Sequence, residues 1–271
     1  MKPRDFGYHV ALVTGASSGL GAAFARQLAA RGCDLMLVAR SRQRLQQLAD
    51  ELVAQYGCRV KVVVADLSKP APGQALAQAA SAAGLEIDLL VNDAGFATVG
   101  AFADADAARE QDEISLNVAA VVDLCHAFLP GMIQRGHGAI INVASLAAMQ
   151  PLPYMSVYAA TKAFVLSFSS ALWAEVHSKG VHVMAVCPGP VDTHFFDATG
   201  RSGLRETVPH KLMLSAPAVV AGSLRALARH RIVYTPGVAN RAAAAGVPFM
   251  PRKLLARTTA AVMRRGDTVH D

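Results

Sequence analysis

The sequence predicts a doubly wound α/β fold, a parallel β-sheet covered by helices on both faces. Strand-length apolar runs recur along the chain with helix-length segments between them, the pattern of successive βαβ units. The runs are near-continuous, as in Asp34-Leu-Met-Leu-Val-Ala39, whereas a strand exposed on one face would alternate apolar and polar residues. Composition agrees: 271 residues with 53% hydrophobic and 17% charged residues exclude a disordered chain, and the length demands no second domain.

In chain order, the apolar runs predict strands at about His9–Thr14, Asp34–Ala39, Arg59–Ala65, Leu89–Asn92, Gly138–Val143, His182–Val186 and Arg231–Thr235. The clearest helices between them are Gly19–Arg31, Arg42–Tyr56, Ala107–Arg135, Tyr158–Ser178 and Pro217–Ala228. No apolar stretch runs uninterrupted for about 18 residues, so no spanning helix is expected. The run Val10–Val13 is too short for a signal peptide and leads straight into a glycine-rich motif. Cys33, Cys58, Cys125 and Cys187 lie far apart without a C-x-x-C pair, which fits buried free thiols and a cytoplasmic, reducing location. Residues 1–237 are expected to form the α/β body, and residues 189–213, unassigned between a strand and a helix, a substrate lid.

Ligands of doubly wound sheets bind beyond the carboxyl ends of the strands, where strand order reverses. At the first such end stands Thr14-Gly15-Ala16-Ser17-Ser18-Gly19-Leu20-Gly21. Its glycines permit a sharp turn and close approach of a pyrophosphate, and the following helix offers free amides and a positive dipole end. After the second strand comes Arg40-Ser41-Arg42, with no acid in reach to hold ribose hydroxyls. Arg40 suits a 2′-phosphate through charge and bidentate hydrogen bonding, so NADP(H) is favoured over NAD(H). Asp66 and Leu67 follow the third strand, where the carboxylate can accept from an adenine amino group or simply cap a turn. Asn92-Asp93-Ala94-Gly95 follows the fourth, and the small Ala94-Gly95 pair lets a ring or ribose pass close to the backbone.

Ser145 follows the fifth strand, and Tyr158 and Lys162 open the next long helix four residues apart, on one face. Carbonyl reduction needs a hydride at carbon and a proton at oxygen, and a nicotinamide supplies only the hydride. A tyrosine can supply the proton, and the Lys162 charge is expected to favour the phenolate and so bring the phenol's pKa nearer neutrality. Ser145 would polarise or position the substrate oxygen, and Asn117 would hold a water between Lys162 and solvent. Each residue has an ordinary alternative as helix surface, strand end or cap, but all fall where the topology places functional groups.

On these residues the sequence resembles the short-chain dehydrogenases/reductases over about residues 8 to 235. The matching elements are Thr14-Gly-x-x-x-Gly-x-Gly21, Asn92-x-Ala-Gly95, Asn117, Ser145, Tyr158-x-x-x-Lys162 and Pro188-Gly-x-x-x-Thr193. The resemblance implies a Rossmann fold and a catalytic tetrad of Asn117, Ser145, Tyr158 and Lys162, with Tyr158 as acid/base. It also implies cofactor contacts from Pro188, Gly189, Val191 and Thr193, the last near the nicotinamide carboxamide, and a homodimer or homotetramer. Asp93 departs from the family's usual second asparagine; the cofactor contact from Asn92 is expected to survive this. A catalytically idle NADP(H)-binding scaffold on the same fold is the rival from another class, and the complete tetrad speaks against it.

No metal is expected, because the nine histidines lack ligand spacing, and no G-x-S-x-G elbow surrounds Ser145. The net charge of +6 and pI near 9.4 can be accounted for by Val238 to Gly266, where stand Arg241, Arg252, Lys253, Arg257, Arg264 and Arg265 and no acid. Without interleaved aromatics this is no nucleic-acid site. As a helix, Pro251 to Arg265 would set Leu254, Leu255, Thr258, Ala261 and Val262 on one side and Lys253, Arg257 and Arg264 on another, which predicts either packing on the body or peripheral membrane contact. The uncharged segment Leu146–Met155, with Phe195 and Phe196 in the lid, points to an apolar carbonyl or alcohol substrate, while Arg201 and Arg205 leave an acidic or acyl substrate open.

Overall fold

The structure is a computed structural model that describes residues 6–193, Phe195, Thr199 and 213–264. Its centre is a seven-stranded sheet of β1 (Val10–Thr14), β2 (Asp34–Ala39), β3 (Val60–Val64), β4 (Leu89–Asn92), β5 (Gly138–Val143), β6 (Val181–Val186) and β9 (Val233–Tyr234). The order is β3-β2-β1-β4-β5-β6-β9 and every pairing is parallel, so the chain winds outward from β1 in both directions. The fold is the predicted doubly wound Rossmann-type α/β architecture.

Period-two alternation along the strands explains why they read as continuous apolar runs. Ala11, Val13, Leu35, Leu37, Leu89, Val91, Ile141 and Met184 face one layer, packed with α1 (Gly19–Ala29), α2 (Arg42–Tyr56) and α7 (Ala216–Leu227). Leu12, Met36, Val38, Leu90, Ile140 and Val183 face the other, packed with α3 (Pro72–Ala82), α5 (Ala120–Arg135) and α6 (Ser156–Val176). Neither face of the central strands meets water, whereas the edge strand β3 is partly exposed. All four cysteines are free and buried.

Three departures from the sequence-based expectation bear on the site. The helix predicted over Ala107–Arg135 is α4 (Ala107–Ile114) and α5 joined by a π turn at Ser115–Ala119, and Asn117 lies in that turn. Among the described residues this run is long and apolar enough to cross a membrane, but it lays Ala120, Val121, Leu124, Phe128 and Met132 into the core. Within the expected lid, β7 (Val191–Asp192) and β8 (Leu214–Ser215) pair in parallel and close its base, whereas Phe196, Arg201 and Arg205 lie outside the described residues. The basic tail forms two helices, α8 (Val238–Gly246) and α9 (Arg252–Arg264).

Candidate active site

The crevice lies where β1 separates the two windings, at the carboxyl ends of β1, β4, β5 and β6. Gly15 and Gly19 take φ of +68° and +56°, which side chains rarely adopt. At Gly21 the constraint is space, because a Cβ would overlap the Gly15 carbonyl oxygen. Ser18 caps α1 without a side-chain hydrogen bond, and the first turn holds no acid, so the amides around Ser17, Ser18 and Leu20 keep their capacity for an anion. The Ala16 amide donates to the Val38 carbonyl at 3.3 Å, tying the turn to β2.

Thr14 joins this turn to the loop after β4: its hydroxyl accepts from the Asp93 and Ala94 amides at 3.0 and 3.1 Å and donates to the Val91 carbonyl at 3.3 Å. Arg40 is exposed just ahead of α2, whose cap is the neighbouring Ser41. Asp66 is exposed nearby and accepts from the Ser68 amide and hydroxyl, while Leu67 is buried. Burial acts against it, but the Ser68 hydrogen bonds and the charges of Lys69 and Arg40 hold the Asp66 carboxyl below the usual range.

The Asn92 side chain is committed elsewhere. Its amide donates to Asn142 Oδ1 at 2.8 Å in the interior, and Asn142 donates in turn to Ser169 Oγ at 2.9 Å. Its Oδ1 is buried without a hydrogen-bond partner. Its neighbour Asp93 turns toward the crevice, where its carboxylate accepts from the Gly21 amide and faces Lys162. Burial pushes that carboxyl up to about 7, with the Lys162 charge and the Gly21 hydrogen bond acting in the opposite direction.

Ser145, Tyr158 and Lys162 converge beyond β5. Ser145 ends the strand and caps a short 3-10 turn, accepting from the Ala147 amide at 3.1 Å, and it also hydrogen-bonds the Tyr158 phenol. Lys162 donates to the Val143 carbonyl at 2.8 Å, which fixes its ammonium under the strand end, 5.8 Å from the Tyr158 ring centroid. Tyr158 is 8% exposed and Phe195 packs against it with ring centroids 5.6 Å apart. The Asn117 carboxamide is satisfied by the Phe96 main chain and by Thr161 Oγ1, so it braces the loop after β4 and has no spare donor for a water. Gly95 passes between Asn117 and Lys162, and a Cβ there would stand 2.8 Å from Asn117 Oδ1.

The expected depression of the tyrosine is not what the structure provides. Burial pushes the Tyr158 phenol up to about 12, offset in part by the Ser145 hydrogen bond and reinforced by the charges of Glu113 and Asp93. Burial likewise lowers Lys162 to about 8, against the pull of Asp93 and Glu113. Desolvation dominates at both groups because both are sealed from water.

Thr193 rests against Gly19, its Cβ 3.4 Å from where a glycine side chain would begin, so the strand after Pro188 and Gly189 closes over the glycine-rich turn. Val191 is buried beneath it. A cavity of about 490 Å³ opens beside Gly19 and Thr193, between the starts of α1 and α7; Ser145, Tyr158 and Lys162 do not line it.

The short-chain dehydrogenase family model matches residues 9–202. The chain belongs to this family. Over 187 residues, 68% of this chain and 60% of the relative, it is 41% identical to a very-long-chain 3-oxoacyl-CoA reductase of Anas platyrhynchos. The chain spans between about a third and three fifths of the length of the curated relatives it matches. Among solved structures it resembles a short-chain dehydrogenase from Sphingobium yanoikuyae in complex with NADPH, with TM-score 0.79 and 34% identity over 90% of this chain and 96% of that one. It also resembles the bulky-bulky ketone specific alcohol dehydrogenase from Comamonas testosteroni, with TM-score 0.75 and 30% identity over 97% and 96% of the two chains. The family is one of nicotinamide-using oxidoreductases.

Two buried acids of the chain escaped sequence reasoning as parts of the site. Asp93 was read only as a departure from the family's usual asparagine, but its carboxylate reaches the glycine-rich turn. Glu113, wholly buried, accepts from the Thr98 amide at 2.7 Å and acts electrostatically on Tyr158 and Lys162. The available signal for Glu113 was its place one helical turn before Asn117, on the same face.

Proposed function

We propose that the chain transfers a hydride between NADP(H) and an apolar carbonyl or alcohol substrate, with Tyr158 as the general acid/base. The observation that carries this reading is the buried Tyr158 phenol, hydrogen-bonded to Ser145 and one helical turn from Lys162 at the carboxyl end of β5. The residues fit the cofactor: the uncapped α1 amides and the glycine-rich turn suit the pyrophosphate, Arg40 the 2′-phosphate, Asp66 the adenine end, Ala94 and Gly95 a ribose, and Thr193 the carboxamide. When bound, the nicotinamide supplies the hydride. Ser145 donates to the carbonyl oxygen, Tyr158 delivers its proton there as negative charge builds, and Lys162 stabilises the phenolate left behind. Carbonyl reduction consumes the protonated phenol, and that is the form burial favours. The uncharged lining around Ala147, Leu152, Met155 and Phe195 supports an apolar substrate. The names of the matched relatives, a very-long-chain 3-oxoacyl-CoA reductase and a bulky-ketone dehydrogenase, support the same direction.

The test is a panel of ketones and aldehydes of increasing apolar bulk with NADPH depletion as readout; no turnover anywhere on the panel overturns the proposal. Arg40→Asp is expected to lower the NADPH:NADH ratio of kcat/KM by about a hundredfold, through loss of a charge-assisted phosphate contact. An unchanged ratio places the 2′-phosphate elsewhere.

Asp93→Asn is expected to move the alkaline limb of the carbonyl-reduction profile about one pH unit lower. Reduction needs Lys162 charged and Tyr158 protonated. Removing the negative charge lowers the pKa of both groups, so both effects act in the same direction. Charges reach this region from Lys162 on α6 and Glu113 on α4. A kcat profile of the Asn variant that superposes on the wild type refutes the coupling.

A further inference from the structure

We propose that the outer face of α9 and the turn before it dock on an anionic lipid surface while the inner face of the same helix roofs the substrate pocket. The roofing half rests on the reading of Tyr158 given above; the lipid half stands independently. On the inner face Leu255 is buried, Thr259 Oγ1 donates to the Pro151 carbonyl at 3.1 Å, and Met263 packs on the cluster of Ala97, Met155, Tyr158 and Ala159 beside Phe195. Pro151 belongs to the segment joining Ser145 to Tyr158, so α9 lies on the substrate side of the crevice. Tyr158 is only 8% exposed, and Met263 of α9 is part of the apolar cluster that covers it, with Phe195.

The outer face is what a solvated helix avoids. Phe249 is 87% exposed in the turn before α9, Val262 69% and Leu254 49%, with Thr258 and Ala261 exposed between them. Arg252, Lys253 and Arg257 are exposed alongside, and no ion pair engages them among the described residues. The chain carries no acid from Val238 to Arg264. The apolar side inferred from sequence is therefore split: Leu255 turns inward, and Leu254, Thr258, Ala261 and Val262 remain outside. Apolar side chains interspersed with unopposed cations complement an interface with anionic headgroups above acyl chains. A nucleic acid would match the cations and leave Phe249, Leu254 and Val262 in water. Docking would place the roofed pocket against the phase in which an apolar carbonyl dissolves.

The experiment is co-sedimentation of the NADPH-loaded full chain with phosphatidylcholine vesicles, with or without phosphatidylglycerol. Binding is expected on the anionic vesicles, weakened by salt. The triple variant Arg252→Ser, Lys253→Ser, Arg257→Ser should bind about a hundredfold more weakly, and Phe249→Ser should also lose affinity. Turnover of a small water-soluble ketone should be unchanged in both variants, which confirms folding; turnover of a bilayer-dissolved long-chain ketone should fall with binding. If wild type and both variants bind neither vesicle at low salt, the lipid surface is refuted. A homodimer that Phe249→Ser dissociates, without vesicle binding, assigns the face to a second copy and overturns the proposal. Lipid binding without any ketone turnover upholds the docking and refutes the proposed catalytic role instead.

Discussion

Replacing Tyr158 by phenylalanine is expected to lower kcat for carbonyl reduction by about a thousandfold and leave NADPH binding nearly unchanged. The ring remains where it packs, against Phe195 and with the Lys162 ammonium over its face, so the substitution removes a proton donor with little disturbance of the core. Ser145 keeps its bond from the Ala147 amide, and Lys162 keeps its bond to the Val143 carbonyl. What disappears is the proton that must reach the substrate oxygen as the hydride arrives. Single-turnover oxidation of bound NADPH measures the chemical step, and NADPH fluorescence measures binding. A Phe variant that retains most of the wild-type single-turnover rate removes Tyr158 from the chemistry.

Gly21→Ala is expected to destabilise the fold by about 2–3 kcal/mol and to weaken NADPH binding severely. The added methyl would meet the Gly15 carbonyl oxygen and approach Asp93 Oδ2, here at 2.9 Å. The first is main chain, held by the link from Ala16 to β2, and cannot swing away as a flexible side chain would. Relief requires α1 to retreat from the turn, which withdraws its amides from the crevice. Gly246 is the control. It closes α8 with no neighbour within 4 Å of a built Cβ and no positive φ, so Ala there should be neutral or stabilising by up to about 1 kcal/mol. Urea midpoints and NADPH titrations of the two variants measure the contrast. Equal midpoints and affinities would show that the turn tolerates a side chain.

Much of the site was legible because its signals are local. The spacing of Tyr158 and Lys162 follows from helical periodicity, the strand ends follow from apolar runs, and the glycine-rich turn announces its own backbone demands. Arg40 and Asp66, beyond the ends of the second and third strands, were placed by counting strands. What escaped were residues whose partners are distant in sequence. The Asn92 amide pairs with Asn142 across the sheet, and register alone brings those two side chains together. The π turn delivers the Asn117 carboxamide to Phe96 and Thr161, contacts that no local pattern announces.

The pKa order shows the same division. From sequence, a lysine one turn from a tyrosine should favour the phenolate; in the fold, burial raises the tyrosine and lowers the lysine. Burial is a property of all the elements that cover a group, and no local pattern reports it. The tail carries this furthest: its sequence shows cations and apolar residues at helical spacing, and only the packing of Leu255, Thr259 and Met263 decides which face remains outside. By itself, the sequence determined the doubly wound sheet and the identities of the groups at its carboxyl edge, because backbone periodicity and residue chemistry are local. Which of those groups meet, which lose their water and which surface is left open depend on contacts between distant segments, and only the tertiary structure decided them.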